Sequence, residues 1–322
     1  MIKTASKETI TEAAELIQKG EIVALPTETV YGLGANALDG KAVAKIFAAK
    51  NRPSFNPLIV HVASVEQAQE LAVMNGQALN IVREFWPGPL TLILPKKQRS
   101  NLSDLVSAGL ETIAIRMPNH SIALDLIKKS GVPIAAPSAN SSGEPSATTA
   151  HHVKQSLGKN VPFILDAGAC NVGLESTVLD LTSDYPVILR PGAVTASDLK
   201  PYLGEVDYDF GAHDKPQEKI KSPGQLLKHY APSIPVRLQA IDAKKDEALL
   251  AFGQFKNSST LEEYAYRNLS EESDLQEAAA NLFKMLRDLD DPRNSGIAVM
   301  DIPNEGLGIA INERLSRAAK GR

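Results

Sequence analysis

A chain of 322 residues is long enough for one large domain or two ordinary ones. Its 43% hydrophobic and 22% charged residues are the proportions of a globular protein able to bury a core. The formal net charge of −4 and a pI near 5.9 exclude a protein that grips nucleic acid mainly through phosphates, so any such contact is expected to be local. The single cysteine, Cys170, excludes an internal disulfide and a Cys-based zinc cluster.

Thr9 with Glu12 reads as a capping box opening a helix whose apolar face is Ile10, Ala13, Ala14, Leu16 and Ile17, closed by Gly20. The apolar run 22–25 predicts a buried strand stopped by Pro26. Gly32-Leu33-Gly34-Ala35-Asn36-Ala37 fits a loose G-x-G-x-x-A. Six residues separate it from Leu25, however, and no acid closes a following strand, so it reads as a glycine turn admitting close backbone packing. Further strands are predicted at 58–62, 90–94, 112–115, 133–136, 163–165, 177–181 and 187–189, with helical patterns at 42–49, 65–73, 78–85 and 122–129. This alternation predicts an α/β domain over residues 1–203, built on one twisted sheet. The last strands follow one another without helices, so the sheet should be mixed. Periodicity disappears over 204–235, a linker or functional loop. A smaller α/β domain follows over 236–322, Rossmann-like in pattern, with strands at 248–252 and 297–300. Its main helix has one face of Ala279, Leu282, Phe283, Leu286 and Leu289. Sequons such as Asn140-Ser141-Ser142 occur, but the opening residues around Lys3 and Lys7 lack an apolar leader and no run of eighteen apolar residues exists. The expectation is a cytoplasmic protein that does not touch membranes.

No G-x-x-x-x-G-K-[ST] is present, so this is not a P-loop enzyme. Lys50-Asn51-Arg52-Pro53 ends a predicted helix, where cations often serve only the helix dipole. The sequel brings Asn56 and His61 within one turn and strand of both cations, a cluster of donors for phosphate or carboxylate. Ser138-Ala139-Asn140 closely follows the strand at 133–136, and the stretch after it combines Gly143 with the small hydroxyl residues Ser146, Thr148 and Thr149, which together let backbone approach a phosphate and supply uncharged donors. Arg116 and Arg190 end predicted strands and Ser176 begins one; two arginines on buried strands suggest an anionic ligand. His151-His152 reads as a surface pair, and no His-x-x-x-His or carboxylate cluster suggests a protein-held metal.

Together these residues resemble the Lys-x-Arg plus Ser-x-Asn signature of the YrdC-like threonylcarbamoyl-AMP synthases. The segments Pro26 to Gly34, Trp86 to Thr91, Glu175 to Val178 and Leu189 to Gly192 match that family in the same order. Ser222-Pro223-Gly224, His229-Tyr230-Ala231-Pro232, Gly306-Leu307-Gly308 and Arg314-Leu315 resemble its long two-domain form. The resemblance implies a YrdC-like N-terminal domain and a reaction: L-threonine, bicarbonate and ATP give L-threonylcarbamoyladenylate and pyrophosphate. The product would pass to a tRNA threonylcarbamoyl-transferase complex, with weak or indirect tRNA contact by this chain. By resemblance, Thr29, His61, Arg116, Ala136 and Ser176 line the threonine site. Arg52, Asn56, Thr112, Ser138, Asn140, Ser146, Arg190 and Tyr230 hold ATP, and Lys50 with Arg52 forms the catalytic pair.

The chemistry agrees, because two anions must meet and catalysis should rest on neutralisation and positioning. Mg²⁺ is expected to travel with the triphosphate. The segment 222–232 is expected to fold over the nucleotide, Tyr230 reaching it. Two alternatives compete with this reading: a non-catalytic tRNA- or dsRNA-binding module, and a carbamoyl-adenylate-handling domain for another acceptor. The acidic pI and the absence of a basic run with interleaved aromatics oppose the first. The absence of acylphosphatase and zinc-finger segments opposes the second.

Overall fold

The computed structural model describes residues 1–210, 229–255 and 261–321, so Ser222-Pro223-Gly224 and the 222–228 part of the expected cover lie outside the described residues. Helix α1 (Lys7–Gln18) starts earlier than its pattern suggested. Ser6 is its N-cap and Thr9 closes the capping box, while Glu12 instead pairs with Lys3 at 2.6 Å. The chain ahead of it is β1 (Ile2–Thr4), a three-residue strand too short and exposed to carry a periodic signal.

The glycine run is a strand and not a turn. β2 (Val23–Leu25) and β3 (Gly32–Asn36) pair antiparallel, Val23 opposite Gly34 and Leu25 opposite Gly32. A Cβ on Gly34 would stand 2.7 Å from Leu25 Cδ2 and 2.8 Å from Ile134 Cγ2, so glycine lets large side chains close over the strand. The remaining strands of this sheet are β4 (Ile59–His61), β5 (Leu90–Pro95), β6 (Thr112–Arg116), β7 (Ile134–Ala135), β8 (Phe163–Asp166), β9 (Thr177–Asp180), β10 (Val187–Arg190) and β11 (Asp207–Tyr208). Their order is β1-β8-β2-β3-β7-β4-β6-β5-β9-β10-β11, with parallel and antiparallel pairs intermixed as expected. β11 lies within the stretch that lacked periodicity and extends the first sheet past residue 203.

Period-two alternation divides the burial. One core holds Val60, Leu92, Ile113, Ile115 and Leu179 beneath α2 (Gly40–Lys50), α3 (Val65–Leu71), α4 (Gly76–Phe85), α5 (Asp104–Ser107), α7 (Ala150–Leu157) and α8 (Ala196–Leu203). α1 and α6 (Ser121–Ser130) close a second core over Val23, Leu25, Ile134 and Phe163. A small third cluster, Ile59, Ile93, Ala114, Val178 and Leu189, makes an apolar floor on the opposite face of the sheet's middle. Of the expected surface pair His151-His152 only His151 is exposed. His152 is buried on α7, its Nδ1 within 3.3 Å of Thr148 N.

The second domain has a fully parallel sheet, ordered β12 (Val236–Arg237), β15 (Gly296–Val299), β13 (Glu247–Ala251), β14 (Tyr266–Asn268). It is packed by α9 (Leu275–Leu289) and α10 (Leu307–Ala318), and Leu282, Phe283, Leu286, Ile311 and Leu315 fill its core. Val30, Leu174 and Tyr230 enter the same core, so the two domains share a packed seam. A Cβ on Gly173 would lie 2.5 Å from Ala280 Cα, which shows how closely α9 approaches the first domain. Among the described residues, no helix is long and apolar enough to cross a membrane.

Candidate functional site

A polar cavity opens over the apolar floor, on the sheet face rather than beyond one row of strand ends. Ile59 and His61 alternate onto that face from β4, and His61 is the register partner of Arg116 at the end of β6. The chain leaving β7 adds Ala136, Pro137 and Ser138, and the connection between β2 and β3 adds Thr27, Thr29 and Val30. Ser176, just before β9, and Arg190, ending the antiparallel β10, close the far wall; His229 and Tyr230 cover the top.

Nine of the expected residues therefore share one cavity: Thr29, Arg52, His61, Arg116, Ala136, Ser138, Ser176, Arg190 and Tyr230. Lys50, Asn56, Thr112, Asn140 and Ser146 do not line it. Lys50 ends α2, where Asn51 turns the chain at φ 51°, and its Nζ donates to the carbonyls of Ser138, at 2.5 Å, and Asn140. The lysine is only 1% exposed. Burial first, and then Arg52, hold its pKa well below the usual lysine value. The expected neutralising pair is thus split: Arg52 faces the cavity, whereas Lys50 fixes the backbone of the Ser138–Asn140 run from below. Arg52 donates to the carbonyls of Asn56 at 3.3 Å and Pro57 at 2.9 Å. Burial lowers its pKa to about 9, which leaves it charged at neutral pH. Asn56 is buried, and its Oδ1 has no hydrogen-bond partner among the described residues. Thr112 is half-buried two residues before Ala114, the register partner of Ile59, which places it at the Pro57 end of the paired strands.

Two carboxylates of the site escaped the residue-by-residue reading. Glu28 Oε2 lies 2.6 Å from Arg116 Nη2, and Glu28 Oε1 accepts from Asn119 N–H at 2.9 Å. Burial alone would raise the Glu28 pKa, but Arg116 and the Asn119 amide outweigh it and the net shift is downward. Arg116 also donates from Nη1 to Thr29 Oγ1 at 2.9 Å and from Nε to Gly88 O at 3.0 Å. Glu175 accepts from Ser146 Oγ and from Arg314 Nε of α10. The only sequence signal for either was an acid wedged among threonine and serine inside a matched segment.

The far wall is equally bonded. Arg190 Nη2 donates to Ser176 O at 2.9 Å and to Ser176 Oγ at 3.1 Å, and Ser176 Oγ meets Thr91 Oγ1 at 2.7 Å. Burial, then Arg116, pushes the His61 pKa down to about 3, so the ring is neutral. Its Nδ1 faces Ile59 O at 3.3 Å, a contact that the tautomer protonated at Nδ1 makes as donor. His229 is driven well below the ordinary histidine pKa by burial and then by Arg52 and Lys50. Tyr230 lies against Phe283 of α9 with ring centroids 5.4 Å apart. The next residue, Ala231, donates its amide to Gly143 O at 2.8 Å. With these two side chains in place the cavity holds about 40 Å³, far below the several hundred Å³ of a ligand pocket. Among the described residues, Glu175 is the one carboxylate on the lining, so the donor set does not suit a protein-held metal.

The Sua5/YciO/YrdC family model, described as "Telomere recombination", matches residues 15–192. The model described as "Threonylcarbamoyl-AMP synthase, C-terminal domain" matches residues 194–320. A threonylcarbamoyl-AMP synthase of Bacillus subtilis is 44% identical over 97% of this chain and 93% of its own length. One from Pyrococcus abyssi is 42% identical over 95% of this chain and 93% of its own. The crystal structure of Pyrococcus abyssi Sua5 complexed with L-threonine superposes with a TM-score of 0.90 at 38% identity, covering 99% of this chain and 98% of that one.

Proposed function

The chain belongs to the Sua5/YciO/YrdC family in its two-domain, threonylcarbamoyl-AMP synthase form, and on that premise we propose how its site joins L-threonine, bicarbonate and ATP. Threonine's amine and bicarbonate condense to a carbamate with loss of water. A carbamate oxygen then attacks the α-phosphorus, forming the P–O bond of threonylcarbamoyladenylate as the bond to pyrophosphate breaks. The observation that carries this reading is the convergence of Arg52, Arg116 and Arg190, all buried, on one cavity; among the described residues Glu28 pairs with Arg116 and Glu175 with Arg314, and neither Arg52 nor Arg190 has a carboxylate ion pair. A buried excess of positive charge is stabilised by an anionic ligand, and two anions that must meet need such a place.

Thr29, His61, Arg116, Ala136 and Ser176 form the threonine half. Glu28, Thr29 and Gly88 engage three of the five guanidinium N–H donors of Arg116, leaving two for a planar carboxylate. Neutral His61 offers an acceptor nitrogen without repelling the substrate's ammonium. Thr29 and Ser176 supply hydroxyls to read the substrate hydroxyl, and a site built to pair that group rejects analogues lacking it. Arg52, Asn56, Thr112, Ser138, Ser146, Arg190 and Tyr230 form the nucleotide half. The unpartnered Asn56 Oδ1 suits a donor such as the adenine amine. Lys50 and Asn140 act as positioning residues for Ser138, and Arg52 with Arg190 neutralises the phosphates. Mg²⁺ would arrive with the triphosphate as part of the substrate and would supply further neutralisation of its charge.

ATP enters only when His229 and Tyr230 withdraw, and they return to shield the adenylate from water. A chain cut after Leu203 should lose adenylate to hydrolysis faster than the full chain; equal retention by both removes the cover from the mechanism. The product passes to a tRNA threonylcarbamoyl-transferase complex in the cytoplasm, with tRNA contact weak or indirect. The deciding experiment measures pyrophosphate release with threonine and bicarbonate omitted in turn. Release should require both, and release indifferent to either refutes the reaction.

A further inference from the structure

Arg314 is the largest fully buried side chain among the described residues, and it belongs to α10 of the second domain. Its Nε donates to Glu175 Oε2 at 3.2 Å and its Nη1 to Pro191 O at 2.7 Å, both in the first domain. The other oxygen of Glu175 accepts the hydroxyl proton of Ser146, which is 0% exposed. Glu313 adds a second acid 3.0 Å from Arg314 Nη1, and the Tyr230 ring centroid lies 5.6 Å from the guanidinium. Glu175 lines the cavity and Ser146 lies behind it, off the lining, so the three groups form one chain of contacts running from α10 to the cavity wall.

We propose that Arg314 is a positioning residue for ATP, acting from the second domain through Glu175 on Ser146. The inference rests on the assignment of Ser146 to the nucleotide half. A serine has one hydroxyl proton; with that proton given to a carboxylate held in place by Arg314, Ser146 Oγ has only lone pairs left to offer the nucleotide once the His229–Tyr230 cover withdraws. Its partner is then a donor on the nucleoside, a ribose hydroxyl or the adenine amine, and not a phosphate oxygen. The second domain thereby contributes to binding the nucleoside without touching it.

Equilibrium dialysis on the full chain, without threonine or bicarbonate, tests this apart from the reaction, with ATP and inorganic triphosphate as the two probes. Arg314→Lys keeps the charge but loses the fork. It should weaken ATP binding about ten- to hundredfold, the range set by one charge-assisted hydrogen bond, and leave triphosphate within about twofold. Arg314→Met combined with Ser146→Ala should bind ATP no worse than the weaker single variant, because both break one relay. Unchanged ATP affinity in Arg314→Lys, equal weakening of ATP and triphosphate, or additive losses in the double variant overturns the proposal. So does loss of the folded state in Arg314→Lys, which would make the residue structural. Failure of the unaltered chain to bind ATP would instead sink the reading of the site on which the inference stands.

Discussion

At the scale of single residues, burial decides which charges act on a ligand and which act on the protein. Arg52 and Lys50 are two positions apart and both buried, yet one faces the cavity and the other holds carbonyls beneath it. Arg52→Ala should lower pyrophosphate release by a factor of about 10² or more, the scale of a lost electrostatic stabiliser. Its melting temperature should stay within about 4 °C of the unaltered chain, since no buried carboxylate loses its partner. Near-normal release would remove Arg52 from the reaction. Glu28→Gln should behave differently, because it leaves the Arg116 guanidinium buried without its counter-charge. Breaking a buried pair on one side costs roughly 3–5 kcal/mol, to be read from urea unfolding at pH 7. The native Glu28 pKa is depressed, so its contribution is complete above the unfolded value and is lost as pH falls through the folded one. The stability gap between the two proteins should therefore narrow below about pH 4. The sequence showed the cations plainly, because Lys-x-Arg and strand-end arginines are conspicuous. It did not show Glu28 as their partner, because an ion pair between residues 28 and 116 exists only once the sheet is folded.

Among elements, strands rich in branched side chains were legible and those made of small residues were not. The runs at 90–94 and 112–115 read directly as β5 and β6, since Ile, Thr and Leu fit a buried pleat. β3 is Gly-Leu-Gly-Ala-Asn, and composition alone pointed to a turn. Its strand state comes from pairing with β2 and from neighbours that fill the space its glycines leave. A similar close approach governs the far wall of the site. A Cβ on Gly192 would stand 2.4 Å from Thr177 N and 2.7 Å from Glu175 O, both backbone atoms that cannot swing aside. Gly192→Ala should therefore push the 175–177 segment outward and cost about 1–3 kcal/mol in stability. Because Arg190 is bonded to Ser176, threonine KM should also rise, measured alongside the urea midpoint. A variant with normal stability and normal threonine KM would show that this wall yields freely.

The whole molecule is a cavity completed by two domains and by the His229–Tyr230 segment between their sheets, and this arrangement fixes its response to acid. His61 and His229 are both buried and neutral, one on the cavity floor and one on its cover. In the unfolded chain each has the ordinary pKa near 6.5. Their native pKa values are lower, so the unfolded state binds more protons and stability falls with pH below about 6.5, by up to roughly 1.4 kcal/mol per pH unit for each. For His61 the loss continues to its folded value of about 3. The two sites should yield in different ways. His61 is held between paired strands and can take a proton only if the sheet opens. His229 sits on a segment fastened by the Ala231–Gly143 bond and packing against Phe283, with Arg52 and Lys50 opposing a charge on its ring. Mild acid should therefore detach the cover before the sheet unfolds. Hydrogen exchange at the Ala231 amide, followed from pH 7 to pH 5, should lose protection ahead of the amides of β4 and β6 once the intrinsic rate change is removed. In His229→Phe, which keeps the ring's bulk but cannot take a proton, that early loss should vanish. Simultaneous loss at Ala231 and in the central strands would mean that cover and sheet open as one unit.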